Sequence, residues 1–206
     1  GDAFEIFIGP SLKGAQGQFF TPRNVVNMVI RMIDPGIDER ILDPACGSGG
    51  FLVESLRYVW NKLEEKAADL GWPESEIEAE KQRIAIKNLR GIHCENSLES
   101  FHNWSAKTFE DIQPESFDVI VTNPPFGKKL SIDSTEILEL YDLGHRWNSV
   151  PGGVFEKGAL ADKQPPQLLF IERCFQMLRP GGRMGIVLLE SIFGMPKYQY
   201  VVNYIR

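Results

Sequence analysis

The run Phe117-Asp118-Val119-Ile120-Val121-Thr122 is followed at once by Asn123-Pro124-Pro125-Phe126. No other junction in the chain constrains the fold as much. A near-continuous apolar run rich in β-branched residues reads as a strand buried on both faces. Two consecutive prolines cannot extend a ladder, because each lacks an N–H and fixes its φ. The chain must therefore stop at a strand end and hold a rigid polar and aromatic tip there. Such a tip suits a flat, amide-like group. Asn123 supplies an acceptor oxygen, a proline carbonyl supplies another, and Phe126 supplies a stacking face. The pattern points to chemistry on an exocyclic amine.

The rest of the chain alternates strands and helices. Thr21-Pro22 opens a helix, with Thr21 as N-cap and Pro22 at the first helical position; Val25, Val26, Met28, Val29, Met32 and Ile33 give it an apolar face, and Pro35-Gly36 ends it. Ile41-Leu42 is a short strand core closed by Asp43-Pro44. Helices are expected from about Gly50 through Lys66, from Glu74 to Leu89, and from Gln167 to Leu178. Further strands are expected over Leu89–His93 and Arg183–Leu189, with Pro180-Gly181-Gly182 as a turn before the latter. Tyr198–Arg206 reads as a helix cut short. Residues 131–163 show no clear period and read as a long loop over the active face, with one helix near Thr135–Tyr141. This alternation predicts an α/β fold with a mostly parallel sheet and helices on both faces. Ligands of such sheets sit at the carboxyl ends of strands, so Asp43 and Asn123 should face one crevice.

The 206 residues suffice for one domain with a full core, and 43% hydrophobic with 24% charged content is ordinary for a soluble globular protein. No apolar run reaches the roughly 20 residues that span a bilayer, and the first residues lack a signal-peptide pattern. Three cysteines (Cys46, Cys94 and Cys174) without a CxxC pair favour a reduced, cytoplasmic setting over a disulfide framework or a zinc site. His93, His102 and His145 share no ligand spacing, so no metal is expected. Trp60, Trp72, Trp104 and Trp147 read as packing or loop anchors, with substrate contact a second option for Trp147. A net charge of −6 without a dense basic block means that any nucleic-acid phosphates are gripped mainly by other chains or domains.

Two further motifs carry chemistry. Asp43-Pro44-Ala45-Cys46-Gly47-Ser48-Gly49-Gly50-Phe51 places a glycine loop at a helix start, where free N–H groups suit a carboxylate or phosphate. Its spacing fits neither the dinucleotide pattern nor a P-loop. Asp43 would repel a pyrophosphate and favour a ligand with a cation beside its carboxylate. S-adenosylmethionine meets that description; a tight strand–helix turn with no ligand is the other reading. Gly17-Gln18-Phe19-Phe20-Thr21-Pro22-Arg23, taken alone, reads as helix capping with a hydrophobic staple from Phe20.

In this order, the segments Gly17–Pro22, Asp43–Phe51 and Asn123–Phe126 resemble the N6-adenine DNA methyltransferases, above all the methylation subunit of type I restriction-modification systems. The resemblance runs from Gly1 to about Tyr204 and implies a Rossmann-like S-adenosylmethionine-dependent methyltransferase fold. It implies that Gln18, Phe19, Phe20, Thr21, Pro22 and Arg23, together with Ala45, Gly47, Ser48, Gly49 and Gly50, border the cofactor. Asp43 would take the methionine end. Glu95 is a candidate for the acid that holds the ribose, although Cys94-Glu95-Asn96-Ser97-Leu98 also resembles a later segment lining the cofactor's adenine. At the tip, a base is flipped out of the duplex. Asn123 and the Pro124 carbonyl accept hydrogen bonds from its amine, Pro125 holds the tip rigid, and Phe126 stacks.

The resemblance further implies DNA as substrate, a specificity subunit and a restriction subunit as partners, and a hetero-oligomer with two methylation subunits. Competing readings are methylation of guanine N2 in ribosomal RNA, methylation of a protein glutamine, and a non-catalytic cofactor-binding scaffold. Only 23 residues, Cys94 to Ser116, separate the strand expected at 89–93 from the one starting at Phe117. A crossover unit needs roughly 30. We therefore expect residues to be missing between His93 and Cys94, and the domain to be truncated at both ends.

Overall fold

The structure, a computed structural model, describes residues 21–89, 92–127 and 130–205. Among them the main sheet has three parallel strands in the order β1 (Ile41–Leu42), β2 (Phe117–Thr122), β5 (Leu178–Ile186). Ile41 pairs with Val119 and Leu42 with Ile120, while Thr122 pairs with Ile186 across the other side. As expected from its apolar run, β2 is central and buried on both faces. Val119 and Val121 pack with Val26, Ile30, Phe51, Val59 and Leu63 on one side. Phe117 and Ile120 pack with Trp104, Cys174 and Met177 on the other.

Helices α1 (Arg23–Ile33) and α2 (Gly50–Leu70) cover the first face, backed by α3 (Glu74–Asn88). α1 lies so close to β5 that a Cβ on Gly185 would stand 2.5 Å from Val29 Cγ1. α1 starts one residue later than the sequence pattern suggests. Pro22 takes the cap position, and the helix start has no side-chain cap hydrogen bond. α2 runs one turn beyond Lys66 and stops at Gly71, whose φ of 67° lets its N–H close on the last carbonyls.

The other face is covered by α6 (Pro166–Met177) and, before it, by a short 3-10 turn at Phe101–Asn103 and α4 (Ala106–Asp111). Arg173 of α6 is buried among rings: its guanidinium carbon lies 4.2 Å from the Phe101 ring centre and 5.2 Å from that of Tyr141. Its Nε donates to the Tyr141 hydroxyl at 2.8 Å and its Nη2 to the Glu99 carbonyl at 2.6 Å. Neighbouring Glu172 accepts from the N–H groups of Asp142 and Leu143.

Three expectations are corrected. Leu89, Ile92 and His93 belong to no strand. Ile92 is 80% exposed, so the segment has no buried apolar face to hold it on the sheet, and β1 is an edge strand among the described residues. Residues 131–163 are not a plain loop. After a short α5 (Thr135–Leu138) they form an antiparallel hairpin of β3 (His145–Val150) and β4 (Val154–Leu160). Gly152 and Gly153 turn it with φ of 95° and 75°. Finally, Pro180-Gly181-Gly182 lies inside β5 as a bulge: β5 advances from Leu178 to Arg183 while β2 advances only from Phe117 to Val119. Two short helices close the chain, α7 (Glu190–Gly194) and α8 (Gln199–Ile205). Trp147 stacks on Tyr200 of α8 at 5.9 Å between ring centres, which docks the hairpin onto this end.

Candidate active site

The parallel pairing of β1 and β2 brings the ends of both strands to one edge. Asp43 lies just past β1 and is 7% exposed. Its Oδ1 accepts from the Ala45 N–H at 3.0 Å and from the Thr122 hydroxyl at 2.6 Å. Burial pushes the Asp43 carboxyl up to about 6, although both donors pull the other way. Thr122 is the last residue of β2, so one hydrogen bond separates the glycine loop from the Asn123 tip.

The loop after Asp43 turns at Gly47 and Gly49, with φ of 52° and 81°, a region that favours glycine. A Cβ at Gly49 or Gly50 would meet no atom within 4 Å, so the space beside the helix start is open. Gly50 begins the 21-residue α2, whose first N–H groups have no helical partner. Open space, free donors and a buried carboxylate at the strand end fit a ligand with both a carboxylate and a cation. S-adenosylmethionine is such a ligand. Cys46 lies in this turn, and burial followed by the Asp43 charge raises its thiol pKa, which argues against a thiolate nucleophile.

At the tip, Asn123 Nδ2 donates to Thr21 Oγ1 at 2.9 Å. Its Oδ1 is buried and has no hydrogen-bond partner. Pro124 is buried, and Pro125 and Phe126 are half-buried. Thr21 therefore does not cap α1 as the sequence pattern suggested; its hydroxyl reaches the tip instead. Pro22 and Arg23 stand at the start of the same helix. Gln18, Phe19 and Phe20 lie outside the described residues.

Glu95 is held at the start of α4 through one carboxylate oxygen. Its Oε1 accepts from the Ser105 N–H and from the Thr108 hydroxyl, both at 3.0 Å, and these bonds lower its pKa. It thus braces the start of α4. It also lines a small cavity of about 80 Å³ with Asp43, Pro44, Cys46, His93 and Trp104.

A second and larger cavity, about 720 Å³, opens beside Phe126. Arg146 and Trp147 of the hairpin, Lys163, Gln167 of α6 and Lys197 line it. Its charged lining is Arg146, Lys163 and Lys197 against Asp162, two net positive charges in a chain of net −6. These residues come from three separate stretches, so no local motif announced them. Only the Pro-Gly-Gly turn between two runs containing Trp147 and Phe155 hinted at the hairpin. Among the described residues no group of three His, Cys, Asp or Glu side chains could hold a metal ion, and no helix is long and apolar enough to cross a membrane.

A parallel sheet between helix layers, with a glycine loop after its first strand and an Asn-Pro-Pro-Phe tip on the next, is the arrangement of the Rossmann-like S-adenosylmethionine-dependent methyltransferase fold. A crystal structure assigned to the modification subunit of a type I restriction enzyme from Vibrio vulnificus YJ016 shares this fold, with a TM-score of 0.56 and 20% identity. It is covered over 98% of this chain and 41% of that one. The N-6 DNA methylase family matches residues 1–196, and the chain belongs to that family. It is 32% identical over 189 residues to the type I restriction enzyme EcoEI methylase subunit of Escherichia coli, covering 88% of this chain and 34% of that protein. It is 24% identical to the type II methyltransferase M.VspI of Vibrio sp. (strain 343), covering 97% of this chain and 43% of the relative. The chain thus spans well under half the length of these relatives.

Proposed function

We propose that this chain is the catalytic core of a DNA adenine methyltransferase, the modification subunit of a type I restriction-modification assembly. The observation that carries the reading is the Thr122–Asp43 hydrogen bond, which joins the cofactor loop to the amine-gripping tip. Family membership favours DNA adenine over guanine N2 of ribosomal RNA or a protein glutamine. The complete Asn123–Phe126 tip favours catalysis over a scaffold role.

Asp43 and the α2 start would hold the amino-acid end of S-adenosylmethionine, with Ala45, Gly47, Ser48, Gly49 and Gly50 shaping the loop around it. When bound, the cofactor supplies an electrophilic methyl group. The target adenine is extruded from the duplex and enters beside Phe126. Asn123 Oδ1 and the Pro124 carbonyl accept the two N6–H groups. These bonds draw the nitrogen lone pair out of conjugation with the ring and aim it at the methyl carbon. Phe126 stacks on the base, a contact worth roughly 1–3 kcal/mol. The cofactor would give up its methyl group and keep the bonding pair on its own sulfur, and the N6 proton displaced by the methyl group would leave to water. Positioning supplies most of the acceleration.

Sequence choice and most phosphate contacts belong to a specificity subunit, which explains how an acidic core can serve a polyanionic substrate. The assembly holds two methylation subunits, works with a restriction subunit and resides in the cytoplasm. The test supplies the full-length chain, its partner subunit and tritiated S-adenosylmethionine to adenine-containing DNA. Label on N6-methyladenine that vanishes with Asn123→Ala supports the reading; equal labelling by the variant sinks it.

A further inference from the structure

We infer that Thr21 is a positioning residue for methyl transfer, setting which end of the Asn123 carboxamide meets the substrate amine. The inference rests on the proposed function and deepens it. A carboxamide is almost symmetric in shape, so its oxygen and nitrogen exchange places by a half-turn that packing alone does not prevent. The reaction tolerates only one orientation. With oxygen forward, Asn123 accepts from an amine; with nitrogen forward, two N–H donors oppose an N–H donor and no bond forms.

In the structure Nδ2 is committed to Thr21 Oγ1 at 2.9 Å, while Oδ1 is buried and partnerless. A hydroxyl can donate as well as accept, so the reversed carboxamide could also bond Thr21. That state would turn the NH2 group, which carries donors alone, toward the amine; the structure holds the other, with Nδ2 on Thr21 Oγ1 and Oδ1 unpaired. The acceptor it leaves open is the one adenine N6 requires.

The local fold is consistent with this role. Thr21 sits where sequence rules put a helix cap, yet α1 is capped in position by Pro22 and carries no side-chain cap bond. The hydroxyl spans 102 positions of sequence to Asn123 instead. Thr21 is thus separated from helix formation and tied to the tip.

The experiment uses the full-length chain with its partner subunit and compares Thr21→Val, Thr21→Ser and Asn123→Ala. Valine keeps the shape of threonine and removes the hydroxyl; serine keeps the hydroxyl. Single-turnover methylation by Thr21→Val should fall on the order of 10-fold or more, as expected for a misoriented catalytic group. Its Kd for S-adenosylmethionine, KM for DNA and thermal midpoint should stay close to those of the parent. Thr21→Ser should restore most of the rate. The inference is overturned if Thr21→Val keeps the parental rate, or if its loss lies wholly in cofactor affinity, which would make Thr21 a cofactor contact. Activity surviving in Asn123→Ala would instead count against the proposed function itself.

Discussion

The Thr122 hydroxyl donates to Asp43 Oδ1 at 2.6 Å, with both residues buried at the joined ends of β1 and β2. This bond couples two segments 79 positions apart in sequence. Thr122→Val would preserve the shape of β2 and remove the hydroxyl, leaving the Asp43 oxygen with the Ala45 N–H alone. A hydrogen bond to a charged group contributes about 1.5–3 kcal/mol, so cofactor affinity should fall roughly tenfold or more. Calorimetric titration with S-adenosylmethionine measures it; an unchanged Kd would show that the bond does not support the cofactor loop.

Asp43 also predicts a pH dependence of opposite sign for binding and for stability. Its carboxyl sits at about 6, above the ordinary carboxylate value near 3.9. The folded state therefore holds the proton more tightly than the unfolded chain. Asp43's contribution to stability is full below pH ~4, declines as pH rises to about 6, and is flat above. A cofactor ammonium prefers the ionised form. Its affinity should rise with pH, up to tenfold per unit, and level off above about 6. Asp43→Asn should weaken binding and flatten both profiles. Cofactor titrations and thermal melts between pH 5 and 8 on parent and variant check the two signs.

The parts of the fold legible in sequence are those whose information is local. β2 could be read because its burial on both faces demands a continuous apolar run, and the prolines after it mark its end. The glycine loop could be read because the positive φ at Gly47 and Gly49 calls for glycine. The hairpin is not legible in the sequence because its faces are half-exposed and its register shifts between His145 and Trp147. What holds it is tertiary: Gln164 Nε2 donates to the Leu143 and His145 carbonyls, and Trp147 stacks on Tyr200. The bond of Thr21 is not legible for the same reason, since its partner Asn123 is remote. Leu89–His93 failed as a strand because apolar composition alone does not supply a buried face.

Gly144 tests how the hairpin is seated. A Cβ there would stand 2.0 Å from the Leu138 carbonyl oxygen, a backbone atom that cannot step aside. Gly144→Ala must therefore move α5 away from the start of β3, at a cost of about 3 kcal/mol. The thermal midpoint should drop by several degrees. DNA methylation should drop further than folding alone requires, because Arg146 and Trp147 lie only two and three residues after Gly144. A melt and a methylation assay run below the lowered midpoint separate the two effects.

Lys163 and Lys197 test whether the large cavity beside Phe126 carries substrate phosphates. The cavity measures about 720 Å³, in the upper part of the usual ligand-pocket range of about 300–1,000 Å³. It has room for a base with part of its backbone. Three cations face it against one acid, and Arg146 is already paired with Asp162 at 2.5 Å. Lys197 stands 4.5 Å from the Tyr198 ring centre, near the α7–α8 wall of the cavity. A lysine on a phosphate releases about one counterion. Lys163→Ala and Lys197→Ala should each weaken DNA binding by the full assembly and lower the salt slope of the affinity by about 1. The loss should be similar on specific and unrelated DNA, because phosphate contacts carry no sequence information. S-adenosylmethionine affinity should not change, since neither lysine lines the cavity that Asp43 and Cys46 line. Fluorescence titrations across a salt series measure the slope directly, and an unaltered slope in both variants would place the DNA backbone elsewhere.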